Sequence, residues 1–380
     1  MRNEYQVLVL NELFNTNNKS RVDLSKDLHI NKTSISTSVS SLIDEGLLRE
    51  VSVGEASSRG GRKPIKLMLD HEFAYFMAID LSKNYISFCI CNMAFEVKEY
   101  GLYEGEVTSD NAIEKITSVI NDNKKYYTVD GVNKLKGVTI AIHGIVNDNK
   151  IIFTPNYDLD SINLLEILNK TIPNIDFNII NESNAAALCE HYVSQVDNLI
   201  TINVGSGLGA GIIIDGHLYI GKRGYGGEIG HMIIVPNGRK CHCGNKGCFE
   251  QYCSSTADIS YYNEIADDKI ESSAELIERY KNGDSYAVDT IKRNIYYMSI
   301  GVNNMMKTID PSYVYINSDL AYNIDEYLPM VNEEIKSTFG QDVPIEVSKF
   351  HDKSTLIGCV YYGIVDFFEK WFLMEFNLYS

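Results

Sequence analysis

Three cysteines within eight residues place the strongest constraint on how this chain can fold. Cys241, Cys243 and Cys248 form a C-x-C-x4-C pattern, which is too tightly spaced for an ordinary disulfide framework and is typical of a metal site. Two glycines between the second and third cysteines supply the tight backbone of such a knuckle. A closed tetrahedral zinc site needs a fourth ligand, which His231 can provide from a returning strand. We therefore expect these four side chains to bind a structural Zn2+.

Two alternatives remain open for this cluster. His242 lies inside the knuckle and competes with His231 as the fourth ligand, or the three thiols are unpaired beside a bystander histidine. Either way, thiols that are not oxidised to disulfides indicate a reducing compartment. The amino terminus opens into an amphipathic pattern, and no run of about 18 apolar residues follows. These features predict a soluble, cytoplasmic protein without a membrane partner.

The charge of the chain divides it into two parts. At 380 residues the chain is well beyond the roughly 150 residues of a typical domain, so two or three domains are expected. The formal net charge is −17, yet residues 1–70 hold ten Lys and Arg against nine Asp and Glu, and the rest hold 24 against 42. An acidic body repels DNA, whereas a neutral segment with basic clusters does not. We expect residues 1–70 to be a separate DNA-binding domain.

Three short helices are predicted within this segment. Apolar residues four apart indicate a helix over residues 5–15, and Ser20 starts a capping pattern for a second helix that ends near His29. Asn31 can cap a third helix, which Gly46 stops. The free face of this third helix carries small hydroxyl side chains that suit entry into a DNA major groove. The residues expected to contact DNA from this helix are Lys32, Thr33, Ser34, Thr37 and Ser41.

A basic hairpin follows the three helices. Residues 47–53 and 65–69 read as two strands that flank a glycine-containing tip. Four positive charges and no acid lie between Arg59 and Lys66, so the tip is expected to contact DNA through Arg59, Arg62 and Lys63. Together the helices and hairpin predict a winged helix-turn-helix. The alternative is a small helical bundle with a solvated face and a solvated loop.

From residue 75 onward, strand-like runs alternate with helical segments, which predicts an α/β fold. A first set of strands covers residues 75–81, 85–91, 137–142, 151–153 and 177–180, with helices at 111–123, 164–169 and 184–193. A second set covers 198–204 and 210–214, with helices at about 257–280 and 285–307. We expect one lobe over residues 72–190, completed by a C-terminal helix at 353–380, and a second lobe with the metal site over residues 191–352.

The sequence around the knuckle resembles the signature of the ROK family of repressors and sugar kinases. The resemblance includes residues 227–231 before the knuckle and Phe249-Glu250 after it, and extends to residues 78–81, 142–146, 154–156, 181–187 and 205–211. It implies two actin-like, ribonuclease-H-like lobes that close over a sugar, with the zinc knuckle supporting the sugar site. The sugar-binding residues that it implies are Asn156, Asn181, Glu182, Glu228, His231 and Glu250.

These residue types suit a sugar, because amides and carboxylates hold vicinal hydroxyls by paired hydrogen bonds. Three of them also have purely structural alternatives. Glu228 and Glu250 could be surface or capping carboxylates, and Asn181 could end a strand and cap the following helix.

Two departures from the family pattern argue against kinase activity. The kinases carry Asp where Glu182 stands, and an extra methylene displaces a catalytic base by about an ångström. They also carry two glycines where this chain has Ser82 and Lys83, whose side chains obstruct a close approach to phosphate. We expect no enzyme activity and no catalytic residue.

The same resemblance favours a repressor that binds a palindromic operator as a homodimer or higher homo-oligomer and is released by a sugar. Within the family, Glu182 and the run Asn84-Tyr85-Ile86 are most similar to regulators that respond to xylose, so xylose is the favoured effector. The alternatives are a working sugar kinase and a repressor that responds to a phosphorylated or amino sugar.

Overall fold

A computed structural model describes residues 4–16, 18–51, 65–155, 157–337 and 342–372. The N-terminal part contains α1 (Glu4–Asn15), β1 (Lys19–Ser20), α2 (Arg21–Asp27), α3 (Lys32–Asp44), β2 (Leu48–Val51) and β3 (Lys66–Leu69). Its three strands form an antiparallel sheet in the order β1-β3-β2. The three helices fall where the apolar spacing predicts them. The hairpin-tip residues Arg59, Arg62 and Lys63 lie outside the described residues.

Side-chain caps fix where α2 and α3 begin. The Ser20 hydroxyl accepts from the Asp23 N–H while the Asp23 carboxylate accepts from the Ser20 N–H, forming a capping box. The Asn31 side chain accepts from the Ser34 N–H at 2.9 Å. Three apolar side chains of α3 are fully buried: Ile35, Val39 and Leu42. Burial of this stripe turns the hydroxyl-rich face of α3 outward.

The next part of the chain forms a five-stranded sheet in the order β12-β9-β4-β5-β6. Strands β12, β9 and β4 are parallel, and β5 and β6 are antiparallel additions. The elements are β4 (Tyr75–Leu81), β5 (Tyr85–Asn92), β6 (Val97–Glu104), α4 (Ala112–Asp122), β7 (Thr128–Val129), β8 (Val132–Asn133), β9 (Leu135–Ile142), β10 (Ile145–Asn147), β11 (Lys150–Phe153), α5 (Leu164–Thr171), β12 (Asp176–Asn181) and α6 (Glu182–Ser194).

The remaining residues form a second five-stranded sheet in the order β15-β14-β13-β16-β17. It repeats the pattern of the first, because an antiparallel hairpin precedes parallel strands. The elements are β13 (Leu199–Val204), β14 (Leu208–Ile214), β15 (His217–Leu218), α7 (Glu250–Cys253), α8 (Ser255–Ile265), α9 (Ser273–Lys281), α10 (Ser285–Ile309), β16 (Tyr313–Asn317), α11 (Asp319–Asn323), α12 (Tyr327–Glu334), β17 (Ile345–Val347) and α13 (Ser354–Phe372). The paired α/β architecture agrees with the sequence prediction.

One helix differs from the sequence expectations. The helix expected over 257–280 is divided into α8 and α9, because the Asn263 amide bonds both the N–H and the C=O of Ile270 and turns the chain back. The lobe boundary expected near residue 190 falls inside α6, which packs against β13 and β14 of the second sheet. The division into domains stays a prediction.

The last helix, α13, connects the three parts of the molecule. It packs against β4 and β9 of the first sheet and lies along α6. The crossing with α6 is close: a Cβ on Gly358 would lie 1.7 Å from the Ala185 carbonyl oxygen. At its other end, the Phe368 ring meets Phe14 of α1 edge-on, with centroids 5.0 Å apart. No helix among the described residues is long and apolar enough to cross a membrane.

Candidate functional site

The polar residues of the first lobe converge where three parallel strands end. Leu81, Ile142 and Asn181 are partners in register across β4, β9 and β12. The side chains next to these positions, Asp80, His143 and Glu182, therefore meet at one edge of the sheet. Carboxyl ends of parallel strands are the usual place for a ligand in α/β folds. The sequence-predicted pair Asn181 and Glu182 lies at this edge.

Asn181 caps α6 in the structure. Its Oδ1 accepts from the Ser183 and Asn184 N–H groups at 2.9 and 3.0 Å. Its Nδ2 donates to the Gly144 carbonyl at 2.9 Å and to Glu182 at 2.6 Å. The capping alternative is thus the arrangement observed. A sugar contact by Asn181 would require the exchange of one of these hydrogen bonds.

The Glu182 carboxylate accepts from the Ser183 hydroxyl at 2.9 Å and from Asn181. Burial raises the pKa of Glu182, although the charge of His143 and the hydrogen bond from Ser183 oppose that rise. Asn156, which the resemblance also assigns to the sugar, lies outside the described residues.

Glu228, His231 and Glu250 lie together on the second lobe, and Glu228 is close enough to Glu182 for their charges to interact. Burial, and next the charges of Glu182 and Glu250, raise the pKa of Glu228 to about 7. Glu250 is buried, and its Oε1 is 3.5 Å from His231 Nδ1. The structure therefore brings five sequence-predicted sugar residues, Asn181, Glu182, Glu228, His231 and Glu250, to the two sides of one cleft.

The four predicted metal ligands form a compact cluster. Cys243 Sγ is 3.6 Å from Cys248 Sγ, and Cys241 Sγ is 3.6 Å from His231 Nδ1. All four ligand atoms lie within 4.8 Å of one another. Tetrahedral zinc with bonds of about 2.3 Å to sulfur and about 2.0 Å to nitrogen places its ligand atoms roughly 3.5–3.8 Å apart. The residues present fit such an ion.

His242 remains the rival ligand. Its Nδ1 is 4.0 Å from Cys241 Sγ and 3.4 Å from Glu250 Oε1, and these atoms form a second compact group with His231. That group includes one thiol, whereas the group with His231 and all three cysteines presents the donor set that structural zinc prefers. In the three-cysteine group His231 turns Nδ1 to the thiols, and its Nε2 lies 4.0 Å from Glu228.

Two glycines of β14, Gly209 and Gly211, have a packing role. A Cβ on Gly211 would lie 2.3 Å from the Ser183 carbonyl oxygen and 2.4 Å from the Ala187 Cβ, so only glycine lets α6 approach β14 this closely. A Cβ on Gly209 would meet the Ser183 hydroxyl at 2.7 Å. These glycines position the first turn of α6, which carries Glu182.

The turn after β4 contains Ser82 and Lys83. The Ser82 N–H donates to the Tyr85 carbonyl at 3.1 Å, so this backbone donor is engaged. Lys83 lines a cavity of about 480 Å3 beside the cleft. The acidic residues that line the same cavity are Glu106, Asp158 and Asp160. They oppose the binding of a phosphate near Lys83.

A histidine and an aspartate that were not among the predicted site residues form a pair in this cleft. His143 Nε2 lies 2.7 Å from Asp80 Oδ1. Burial lowers the pKa of His143, but the charge and hydrogen bond of Asp80 and the charge of Glu182 outweigh it and raise that pKa to about 9. Asp80 lies near the end of one predicted strand, and His143 directly follows another. That position is the signal that could have identified them.

The predicted DNA-contacting residues of α3 differ in exposure. Lys32, Thr33 and Thr37 are exposed, whereas Ser34 and Ser41 are half-buried. The Ser41 hydroxyl donates to Glu45 and accepts from the Gln6 side chain, so it is engaged within the domain. The first two turns of α3 are therefore the part most available to a ligand.

Comparison with known proteins finds one family. The ROK family matches residues 76–363. The xylose repressor of Staphylococcus xylosus is 32% identical over 354 residues, which cover 91% of this chain and 90% of that repressor.

Two solved structures are similar to the whole chain or to its lobes. A ROK family transcriptional regulator, described as a homologue of the E. coli MLC protein, has a TM-score of 0.80 and 25% identity, and the match covers 93% of this chain and 94% of that one. A ROK family glucokinase from Streptomyces griseus, in complex with glucose and AMPPNP, has a TM-score of 0.67 and 22% identity, over 76% of this chain and 99% of the glucokinase. The glucokinase similarity shows the shared fold of the lobes alone.

Proposed function

The chain belongs to the ROK family, and from that premise we propose that it is a transcriptional repressor that binds operator DNA and releases it when a sugar enters the cleft. The observation that carries this proposal is a continuous packing contact from the cleft to the N-terminal helices. Helix α6 begins at Glu182, α13 lies along α6, and Phe368 of α13 contacts Phe14 of α1. A ligand bound beside Glu182 therefore has a packed route to the N-terminal domain.

The N-terminal domain is the DNA reader in this proposal. Its three helices and three-stranded sheet support a winged helix-turn-helix in which α3 enters the major groove. The exposed Lys32, Thr33 and Thr37 suit contacts with phosphates and base edges. A homodimer would present two copies of α3 to a palindromic operator, with half-sites about one helical turn of DNA apart.

The charges in the cleft favour an unphosphorylated sugar over a phosphorylated one. Three carboxyl groups, from Glu182, Glu228 and Glu250, converge there. The nearby cation His143 is already paired with Asp80. A sugar phosphate would add negative charge to this environment, whereas neutral hydroxyls can donate to the carboxylates. Xylose is the first effector to test, because the Staphylococcus xylosus relative is a xylose repressor.

The knuckle would hold a structural zinc ion through His231, Cys241, Cys243 and Cys248. When bound, the ion would supply rigidity rather than chemistry, because four protein ligands leave no open position. His231 would then carry its remaining proton on Nε2, the nitrogen that faces Glu228. The metal-held segment also continues directly into α7, which begins at Glu250. The knuckle thereby orients two sugar-binding side chains.

The structure favours a repressor function over sugar kinase activity in this proposal. The engaged Ser82 N–H and the acidic surroundings of Lys83 support a cleft that does not hold ATP phosphates. Glu182 also replaces the shorter carboxylate expected of a kinase base. In the repressor, the sugar acts only through its higher affinity for the closed lobes, and this difference shifts the protein to the state with low DNA affinity.

Operator binding by the full-length zinc-loaded protein tests this function. The operator is selected from random DNA, and its dissociation constant is measured by fluorescence anisotropy at fixed salt with and without D-xylose. We expect xylose to weaken binding, with no ADP formed when ATP is present. Sugar-independent operator affinity would contradict the mechanism, and ATP-dependent sugar phosphorylation would establish the kinase alternative.

A further inference from the structure

The His143–Asp80 pair lies in the cleft, where β9 and β4 end. Asp80 is buried, with one oxygen 2.7 Å from His143 Nε2 and the other accepting from the Tyr85 hydroxyl at 3.2 Å. The His143 backbone N–H donates to the Tyr157 hydroxyl, which in turn donates to the Leu81 carbonyl at 2.6 Å. The histidine is therefore held through its backbone and through one ring nitrogen.

The other ring nitrogen of His143 has no partner among the described residues. The side chain is 33% exposed, and Nδ1 itself is accessible and not buried. Nδ1 is therefore open to the cleft. With Nε2 committed to Asp80, this nitrogen is the one that a ligand can reach.

We propose that His143 determines sugar specificity by donating a hydrogen bond from Nδ1 to one hydroxyl oxygen of the sugar bound beside Glu182. This inference rests on the proposed function and names an additional contact of the same site. His143 belongs to the strand end and not to the knuckle, so its contact lies on the opposite side of the sugar from His231.

The balance of donors and acceptors in the cleft supports this assignment. Glu182, Glu228 and Glu250 accept hydrogen bonds from sugar hydroxyls when ionised. The Asn181 amide donors are both used, one by Gly144 and one by Glu182. Each sugar hydroxyl can also accept a hydrogen bond, and an unmet acceptor in a closed site costs binding energy. Among the described residues, His143 supplies a donor on the first-lobe side of the cleft, where the Asn181 amide is already engaged.

The charge state of His143 makes Nδ1 a donor at neutral pH. The groups that face the ring are Asp80 from β4, Tyr85 from β5 and Glu182 from α6, while the Tyr157 hydroxyl meets the backbone N–H of His143. Despite burial, the charges of Asp80 and Glu182 raise the pKa of His143 to about 9. The imidazolium carries a proton on each nitrogen, so Nδ1 donates below that pH and loses this role above it.

The test compares His143→Gln with the wild-type full-length zinc-loaded protein. Glutamine can still donate to Asp80 through its amide nitrogen, but it offers an acceptor oxygen in place of the Nδ1 donor and removes the positive charge. Isothermal titration measures the affinity for D-xylose and for its 2-, 3- and 4-deoxy analogues. His217→Gln, at a half-buried histidine on β15 of the other lobe, is the matched control. Thermal unfolding without sugar reports whether each variant is folded.

We expect His143→Gln to weaken xylose binding by about tenfold to a hundredfold, the usual range for a hydrogen bond to a charged group. One deoxy analogue should bind the wild type more weakly than xylose does, but should bind the variant about as tightly as xylose does. The hydroxyl missing from that analogue is the one that His143 contacts. Wild-type affinity should also fall as the pH rises through about 9, whereas the variant should show no such fall.

Other results separate this inference from the proposed function. Equal xylose affinity in wild type and His143→Gln would refute the contact while leaving the repressor function intact. The same conclusion would follow if the removal of each hydroxyl weakened sugar binding by the same factor in both proteins. Failure of the wild type to bind xylose or any other free sugar would instead refute the proposed function, and the inference with it.

Discussion

Truncation of Phe14 should disconnect DNA binding from sugar binding. The Phe14 ring meets Phe368 edge-on, with centroids 5.0 Å apart and planes at 64°. Truncation of a fully buried phenylalanine to alanine costs about 3–5 kcal/mol, and an edge-to-face pair adds about 0.5–1.5 kcal/mol beyond burial. Because Phe14 is half-buried while Phe368 is fully buried, we expect Phe14→Ala to remove about 2 kcal/mol from the α1–α13 contact.

This loss is comparable to a typical coupling energy between two ligand sites, about 1–3 kcal/mol. The quantity to measure is the ratio of operator dissociation constants with and without saturating D-xylose. In Phe14→Ala that ratio should fall by roughly tenfold or more, while xylose affinity itself changes little because the cleft is distant. Leu8→Ala, which truncates an exposed residue of the same helix, is the control and should keep the wild-type ratio. A wild-type ratio in Phe14→Ala would show that the coupling does not pass through this contact.

Two further predictions concern the knuckle and the glycines of β14. Cys248→Ser should abolish stoichiometric zinc in elemental analysis and lower both the unfolding midpoint and the xylose affinity, because structural zinc contributes directly to folding. Cys253→Ser, at an equally buried cysteine outside the cluster, is the control and should keep its zinc. Equal zinc content in the two variants would exclude the assigned ligands. Gly211→Ala should lower the free energy of unfolding by about 3 kcal/mol or more and weaken xylose binding, because its Cβ would meet the backbone of α6 at 2.3 Å. Gly209→Ala, whose Cβ meets a movable hydroxyl, should lower the free energy of unfolding by less. An equal loss of stability in the two variants would contradict close packing of α6 as the reason for glycine.

The sequence predicts features that depend on neighbouring residues. The caps at Ser20 and Asn31 and the apolar stripe of α3 follow from local spacing, and the structure has them at those residues. The division of the helix over 257–280 is not predicted, because it depends on one side chain, Asn263, that reaches across to Ile270. Periodicity alone cannot indicate such a contact.

The candidate site also combines features that the sequence predicts with features that it leaves open. Spacing within the knuckle predicts three metal ligands, because a short glycine-containing loop leaves its cysteines few alternatives. The role of Asn181 is left open by sequence, since strand-ending, capping and sugar-binding asparagines look alike. The structure shows the cap, with both amide donors engaged.

The sequence by itself determined the residue types at the two ends of the cleft, the cysteine cluster and the separate charge of the N-terminal segment. These depend on composition and on contacts within a few residues. Tertiary structure decided that His231 turns Nδ1 toward the thiols, that Asp80 pairs with His143 across 63 positions, and that α1 meets α13. The reason is that these contacts form only when strands and helices distant in sequence pack together, and the register of that packing is a property of the whole fold.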